Sequence, residues 1–208
     1  LSGRTLINCD SEDEGVLTVS CAGGARVTLR LPLTREKKTR EEDCLRVSVC
    51  GLTGGHSGVE INKGRANANK LLAKWLEKLP VNLIGIGGGS QDNAIPRAAQ
   101  AVFAVEAEAK DAVKQAVQTL QATIRHEYEV SDPDVTLKMT ECTEAVAQVM
   151  NRASGGAIID ALVLLPNGVQ KMSDAMPGLV QTSLNLGILT MKEEEVQMGF
   201  SVRSSVGS

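Results

Sequence analysis

From Arg26 to Leu31 apolar and polar residues alternate strictly, with Val27, Leu29 and Leu31 on one side and Arg26, Thr28 and Arg30 on the other. A period of two predicts a half-buried strand. Leu45, Val47 and Val49 repeat the pattern against Arg46, Ser48 and Cys50, and the mixed-charge run from Thr34 to Asp43 between the two predicts a solvated hairpin connection. After Gly64 the period changes. Ala68, Leu71, Leu72, Trp75, Leu76 and Leu79 follow the spacing of one helix face, and Pro80 stops it. Val113, Ala116, Val117, Leu120 and Ile124 predict a second amphipathic helix between Lys110 and Tyr128, closed by Asp132-Pro133. Alternation returns at Val81–Ile86, Ala101–Val105, Val135–Met139, Val180–Leu186 and Val196–Val202, and a short third helix is expected around Ile158–Leu162.

Several strands thus share few helices, without a regular β-α-β-α alternation. Such an order predicts an α+β fold: an antiparallel sheet with two long amphipathic helices packed on one face, plus the short third helix. A doubly wound nucleotide fold fits less well.

Composition narrows the partners. Lys and Arg number 22 against 25 Asp and Glu, a net charge of −3, which removes the electrostatic ground for general binding of nucleic acid or of an anionic membrane. The aromatic residues are Trp75, Phe103, Tyr128 and Phe200, too few for a base-stacking platform. No apolar run approaches the roughly 18 residues of a membrane-spanning helix. Cys9, Cys21, Cys44, Cys50 and Cys142 are odd in number and form no C-x-x-C pair, so reduced thiols in a cytoplasmic protein are expected. The start at Leu1, with no basic leader, reads as cut from something longer or as a tag remnant.

Four places carry candidate chemistry. Asn8 to Gly15 places Asp10, Glu12, Asp13 and Glu14 just after the apolar pair Leu6-Ile7. Carboxylates there can ligate a metal or form an acidic turn that water solvates. Glycines flank His56 in Gly54-Gly55-His56-Ser57-Gly58, so the imidazole can donate to a developing oxyanion or simply close a turn. Gly85 to Ser90 lacks the lysine of a phosphate loop and the third glycine of a dinucleotide fingerprint. Asn93, which follows it, offers an amide to a ligand or closes a strand entry. Arg203 shares the polar face of its strand with Gln197, Gly199 and Ser201, with room to clamp a carboxylate or to stand in solvent.

In order, Leu6–Gly15, Cys21-Ala22-Gly23-Gly24, Gly54–Gly58, Asn67-Ala68-Asn69-Lys70-Leu71-Leu72, Asn93-Ala94-Ile95-Pro96-Arg97, Pro166-Asn167-Gly168-Val169, Thr182-Ser183-Leu184-Asn185 and Arg203-Ser204 resemble the central part of aminoacyl-histidine dipeptidases. These carnosinase-like metallopeptidases use two zinc ions in a catalytic α/β domain, into which an α+β lid or dimerisation domain is inserted. The resemblance implies that residues 1–24 are the end of a catalytic-domain strand and a linker, 25–200 the lid, and 201–208 the return. By motif match, Asp10 corresponds to a terminal zinc ligand, His56 to the lid histidine that polarises the scissile carbonyl, and Asn93 and Arg203 to substrate-holding residues.

The same resemblance implies a homodimer that takes a dipeptide substrate of the Xaa-His type. An upstream His-x-Asp motif, a bridging aspartate, paired glutamates and a distant histidine are missing from the chain. Hydrolysis of this class needs an activated water and a carboxylate to take its proton. The isolated chain is therefore expected to be inactive and to bind no zinc, since one carboxylate cannot complete a site. A stand-alone regulatory or ligand-binding module derived from the lid is the alternative.

Overall fold

A computed structural model describes residues 3–5, 7, 14–16, 20–39, 42–142 and 146–207. In chain order its strands are β1 (Gly23–Pro32), β2 (Arg35–Lys37), β3 (Glu42–Cys50), β4 (Gly55–His56), β5 (Asn82–Gly88), β6 (Ala94–Ile95), β7 (Ala99–Glu106), β8 (Thr136–Glu141), β9 (Gln148–Met150), β10 (Gly168–Met172), β11 (Val180–Met191) and β12 (Glu195–Ser204). Its helices are α1 (Ala68–Leu76), α2 (Lys110–Glu127) and α3 (Arg152–Leu164). The main sheet is antiparallel, in the order β1-β12-β11-β5-β7-β3-β8, with β10 added to β11. The fold is α+β, as the patterning predicts.

The core lies where the two periods meet. Leu45, Val47 and Val49 of β3 are fully buried, and their partners in β7 include Ala101 and Phe103, also fully buried. Leu72, Trp75 and Leu76 of α1 pack in the same cluster, with Val113 and Val117 of α2 and Ile158 and Leu162 of α3. Trp75 meets Phe103 with ring centroids 5.7 Å apart and planes tilted by 52°, a favourable aromatic geometry.

Three expectations need correction. The run from Thr34 to Asp43 does not join a hairpin, because β1 and β3 stand far apart in the sheet. β1 instead pairs along its whole length with β12, and the intervening β2 pairs with β9. Within the run, the buried Glu42 carboxylate accepts the Thr39 N–H at 2.9 Å and the Asn82 amide of β5 at 2.5 Å. Second, β1 is an edge strand, so Val27 keeps 43% of its surface exposed while Leu29 and Leu31 are only partly covered. Third, α3 is not short: its 13 residues exceed the nine of α1. Its first turn is capped by the Asn151 side chain, which accepts the Ser154 N–H at 2.9 Å.

β5 joins β11 at the single registered pair Leu189↔Gly88, so the sheet has a narrow seam. A buried amide cluster reinforces it. Asn67 caps α1 by accepting from the Asn69 and Lys70 N–H groups, and its own amide donates to the Leu186 carbonyl at 3.0 Å. Asn167 accepts the Leu186 N–H at 2.8 Å. Lys70 donates to the Val163 and Leu165 carbonyls at 2.9 and 2.7 Å, at the C-terminal end of α3. Burial pushes the Lys70 ammonium below its usual range.

Candidate functional site

His56 is carried by a turn that only glycine permits. Gly54 and Gly55 have φ of +65° and +139°, and a Cβ at Gly55 would fall 2.2 Å from an Arg65 nitrogen and 2.5 Å from Glu60 Oε2. Those two side chains strap the turn. Arg65 donates to the Gly54 carbonyl, and Glu60 Oε2 accepts the His56 N–H at 2.9 Å. Glu60 Oε1 also lies 3.0 Å from Lys63 Nζ and from the Arg65 guanidinium. The His56 N–H, then the Lys63 bond, hold the Glu60 carboxyl down at about 2. The fully buried Asp132 accepts the N–H of Thr53, just upstream of the turn, as well as the Ala66 N–H and the Ser131 hydroxyl, each at 2.9 Å. One carboxylate thus ties the loop after α2 to the base of the His56 turn and to the entry of α1.

The imidazole is oriented by its own backbone. His56 Nδ1 accepts the N–H groups of Gly58 at 3.2 Å and Val59 at 3.4 Å. A nitrogen that accepts cannot carry the proton of the neutral ring, so the proton sits on Nε2. The ring is exposed, which leaves Nε2–H a donor toward solvent or a ligand.

Arg203, 147 positions away in the chain, meets this ring. It lies near the end of β12, paired with Gly24 of β1 and Ser183 of β11. A Cβ built on Gly58 would stand 2.9 Å from His56 Cε1 and 3.0 Å from Arg203 Cζ, so imidazole and guanidinium both close on that one glycine. Arg203 Nε and Ser57 Oγ are buried there without a partner among the described residues. Buried polar atoms left open in this way are the condition a ligand relieves.

Asn93 completes the arrangement. It precedes β6, whose Ala94 pairs with His56, and its carbonyl accepts the Ser57 N–H at 2.8 Å. It lines a cleft of about 330 Å³ with His56 and another of about 410 Å³ with Arg203, so it stands between the two. The structure therefore brings His56, Asn93 and Arg203 together at one end of the sheet. It offers an imidazole N–H donor, a guanidinium and an amide, which suits a short ligand bearing a carbonyl and a carboxylate.

Asp10 lies outside the described residues. Among the described residues, no group of three or more His, Cys, Asp or Glu side chains is placed to hold a metal. His126 is exposed at the end of α2, with Nδ1 3.8 Å from Glu129, away from these groups. Sequence reading passes over Asp132, which looks like a helix stop, and Glu60, which looks like one more surface charge. A carboxylate five positions beyond a Gly-Gly pair, followed by Arg65, is the signal that was there to find.

The "Peptidase dimerisation domain" family matches residues 47–132. The chain is 38% identical, over its whole length and 44% of the relative's, to the cytosol non-specific dipeptidase of Escherichia coli (strain K12). It superposes with a TM-score of 0.91 and 36% identity on the crystal structure of aminoacylhistidine dipeptidase from Vibrio alginolyticus, again over all of this chain and 43% of the other. The chain spans less than half the length of these two dipeptidases.

Proposed function

We propose that this chain, which resembles two dipeptidases along its whole length and matches the peptidase dimerisation domain family over residues 47–132, is the substrate-clamping and dimerisation part of a zinc-dependent, cytoplasmic dipeptidase that hydrolyses Xaa-His dipeptides. In this reading residues 25–200 form the lid, and residues 1–24 and 201–208 lead from and back to the catalytic domain. The convergence of His56 and Arg203 on Gly58 carries it. A dipeptide has one scissile carbonyl and one terminal carboxylate a few bonds away, and these two side chains present the matching donors at that scale.

Each donor has a separate task. Arg203 pairs with the terminal carboxylate, where a guanidinium can form two parallel charge-assisted bonds. His56 Nε2–H donates to the scissile carbonyl oxygen, and the bond strengthens as negative charge gathers there. Because Gly58 and Val59 hold Nδ1, the ring need not reorganise at that moment. Asn93 holds the substrate between them. Water activation falls to residues outside this chain. Zinc, two ions in the family, belongs to that other part, and Asp10 is the ligand this chain adds by motif match.

His56→Ala in the full-length protein tests the reading. The ring is exposed, so stability should hold while kcat/KM for an Xaa-His dipeptide falls on the order of 100-fold. Unchanged turnover would overturn it. The purified 208-residue chain with added zinc should leave carnosine intact.

A further inference from the structure

We infer that Asn185 is a positioning residue, whose side-chain amide brackets Asn93 and sets where that residue is presented to substrate. The inference rests on the clamping role proposed above and adds a residue to it. Asn185 lies on β11 opposite Ser201 of β12, two places from Arg203, and keeps only 1% of its surface exposed. Its Nδ2 donates to the carbonyl of Asp92 at 3.0 Å and to that of Ala94 at 2.8 Å, the residues on either side of Asn93. Two carbonyl acceptors fix the amide orientation, since the opposite one would turn Oδ1 against both. Oδ1 is then buried with no partner among the described residues, so the side chain is kept in place by what its nitrogen holds.

The rest of the segment shows the same end being pinned. A Cβ at Gly187 would lie 2.6 Å from the Asp92 carbonyl oxygen, so the backbone of 91–92 rests directly on β11 where the β11–β12 register shifts. Asp92 also pairs with Arg26 of β1. On its other side the segment reaches His56, through the β4–β6 pairing and the Ser57 N–H on the Asn93 carbonyl. Asn93 itself is exposed, and the groups around it are held from both sides. Among the described residues, only the Asn185 amide spans both peptide carbonyls that flank it. Loss of that bracket frees Asn93 to move, and a displacement near 1 Å in a reacting assembly costs on the order of 100-fold in rate.

The test is a double-mutant cycle in the full-length protein, with Asn185→Asp, Asn93→Ala and the pair, assayed on an Xaa-His dipeptide and normalised to the folded fraction from urea titration. Asn185→Asp keeps the shape and removes both N–H donors. It should lower kcat/KM about tenfold or more, with the same division between kcat and KM as Asn93→Ala, and the double variant should stay within about threefold of the worse single one. Asn185→Ser is read by the same rule if the aspartate variant does not fold. Full activity of a folded Asn185 variant beside an impaired Asn93→Ala overturns the positioning role alone. So does a double variant whose losses multiply in full. Asn93→Ala with wild-type activity instead overturns the clamping role on which the inference rests.

Discussion

Adding one methyl group at Gly58 should separate binding function from stability. Gly58 does not use the left-handed backbone region, so alanine meets no conformational objection. The objection is space: the new Cβ would lie 2.9 Å from His56 Cε1, 3.1 Å from His56 Nδ1 and 3.0 Å from Arg203 Cζ. Carbon atoms rest at about 3.5–4.0 Å, so ring and guanidinium must each withdraw by about 0.5–1 Å. The ring is an exposed side-chain end and the guanidinium the end of a long, half-buried side chain, so the folding cost should stay near 1 kcal/mol or below. The same displacement at two groups that must meet one small substrate should cost on the order of 100-fold in kcat/KM. Steady-state kinetics of Gly58→Ala in the full-length protein, beside urea unfolding, measures both. Wild-type kcat/KM in the folded variant would refute the idea that His56 and Arg203 act as a spatially matched pair.

Two further outcomes follow from the supports of the His56 turn. Asp132→Ala leaves the Thr53 and Ala66 N–H groups without their acceptor, and at about 1–3 kcal/mol for each unpaired donor it should lower unfolding free energy by about 3 kcal/mol or more; a loss below about 1 kcal/mol in urea would show that water replaces the carboxylate freely. Glu60 ionises near 2 in the folded chain against an ordinary value of 4.5, so the stability it contributes is complete above about pH 4.5 and fades as pH falls toward 2. Glu60→Gln should therefore flatten the acid limb of the stability profile in that window, and an unaltered limb would remove Glu60 from the turn's support.

Elements with a single clear period were legible in the chain. Leu45, Val47 and Val49 announce β3, and the apolar stripes from Ala68 and Val113 announce α1 and α2, because each face is buried against one layer. α3 was partly hidden by Gly155-Gly156, which lower helix propensity; in the structure a Cβ at Gly155 would sit 3.6 Å from Leu83 Cβ, so packing on β5 outweighs propensity there. Strand partnership was misread between β1 and β3, since neighbours in sequence carry equal apolar faces whether or not they pair.

His56, Asn93 and Arg203 each stood out by local context, a glycine turn, a strand entry and a polar strand face. That they share one site depends on β12 returning beside β1 and on the 92–94 segment lying across β11, contacts that no local pattern encodes. Asp132 escaped notice for the same reason: its three partners come from three segments.

In the proposed role Arg203 grips a peptide's terminal carboxylate while His56 faces its carbonyl. The most direct measurement is the ratio of kcat/KM for an Xaa-His dipeptide to that for its C-terminal amide, in the full-length protein and in Arg203→Ala. The wild-type ratio should strongly favour the free carboxylate, by roughly the tenfold to hundredfold expected for a charge-assisted pair at about 1.5–3 kcal/mol, and Arg203→Ala should bring it near unity. A ratio that survives the substitution unchanged would contradict the account.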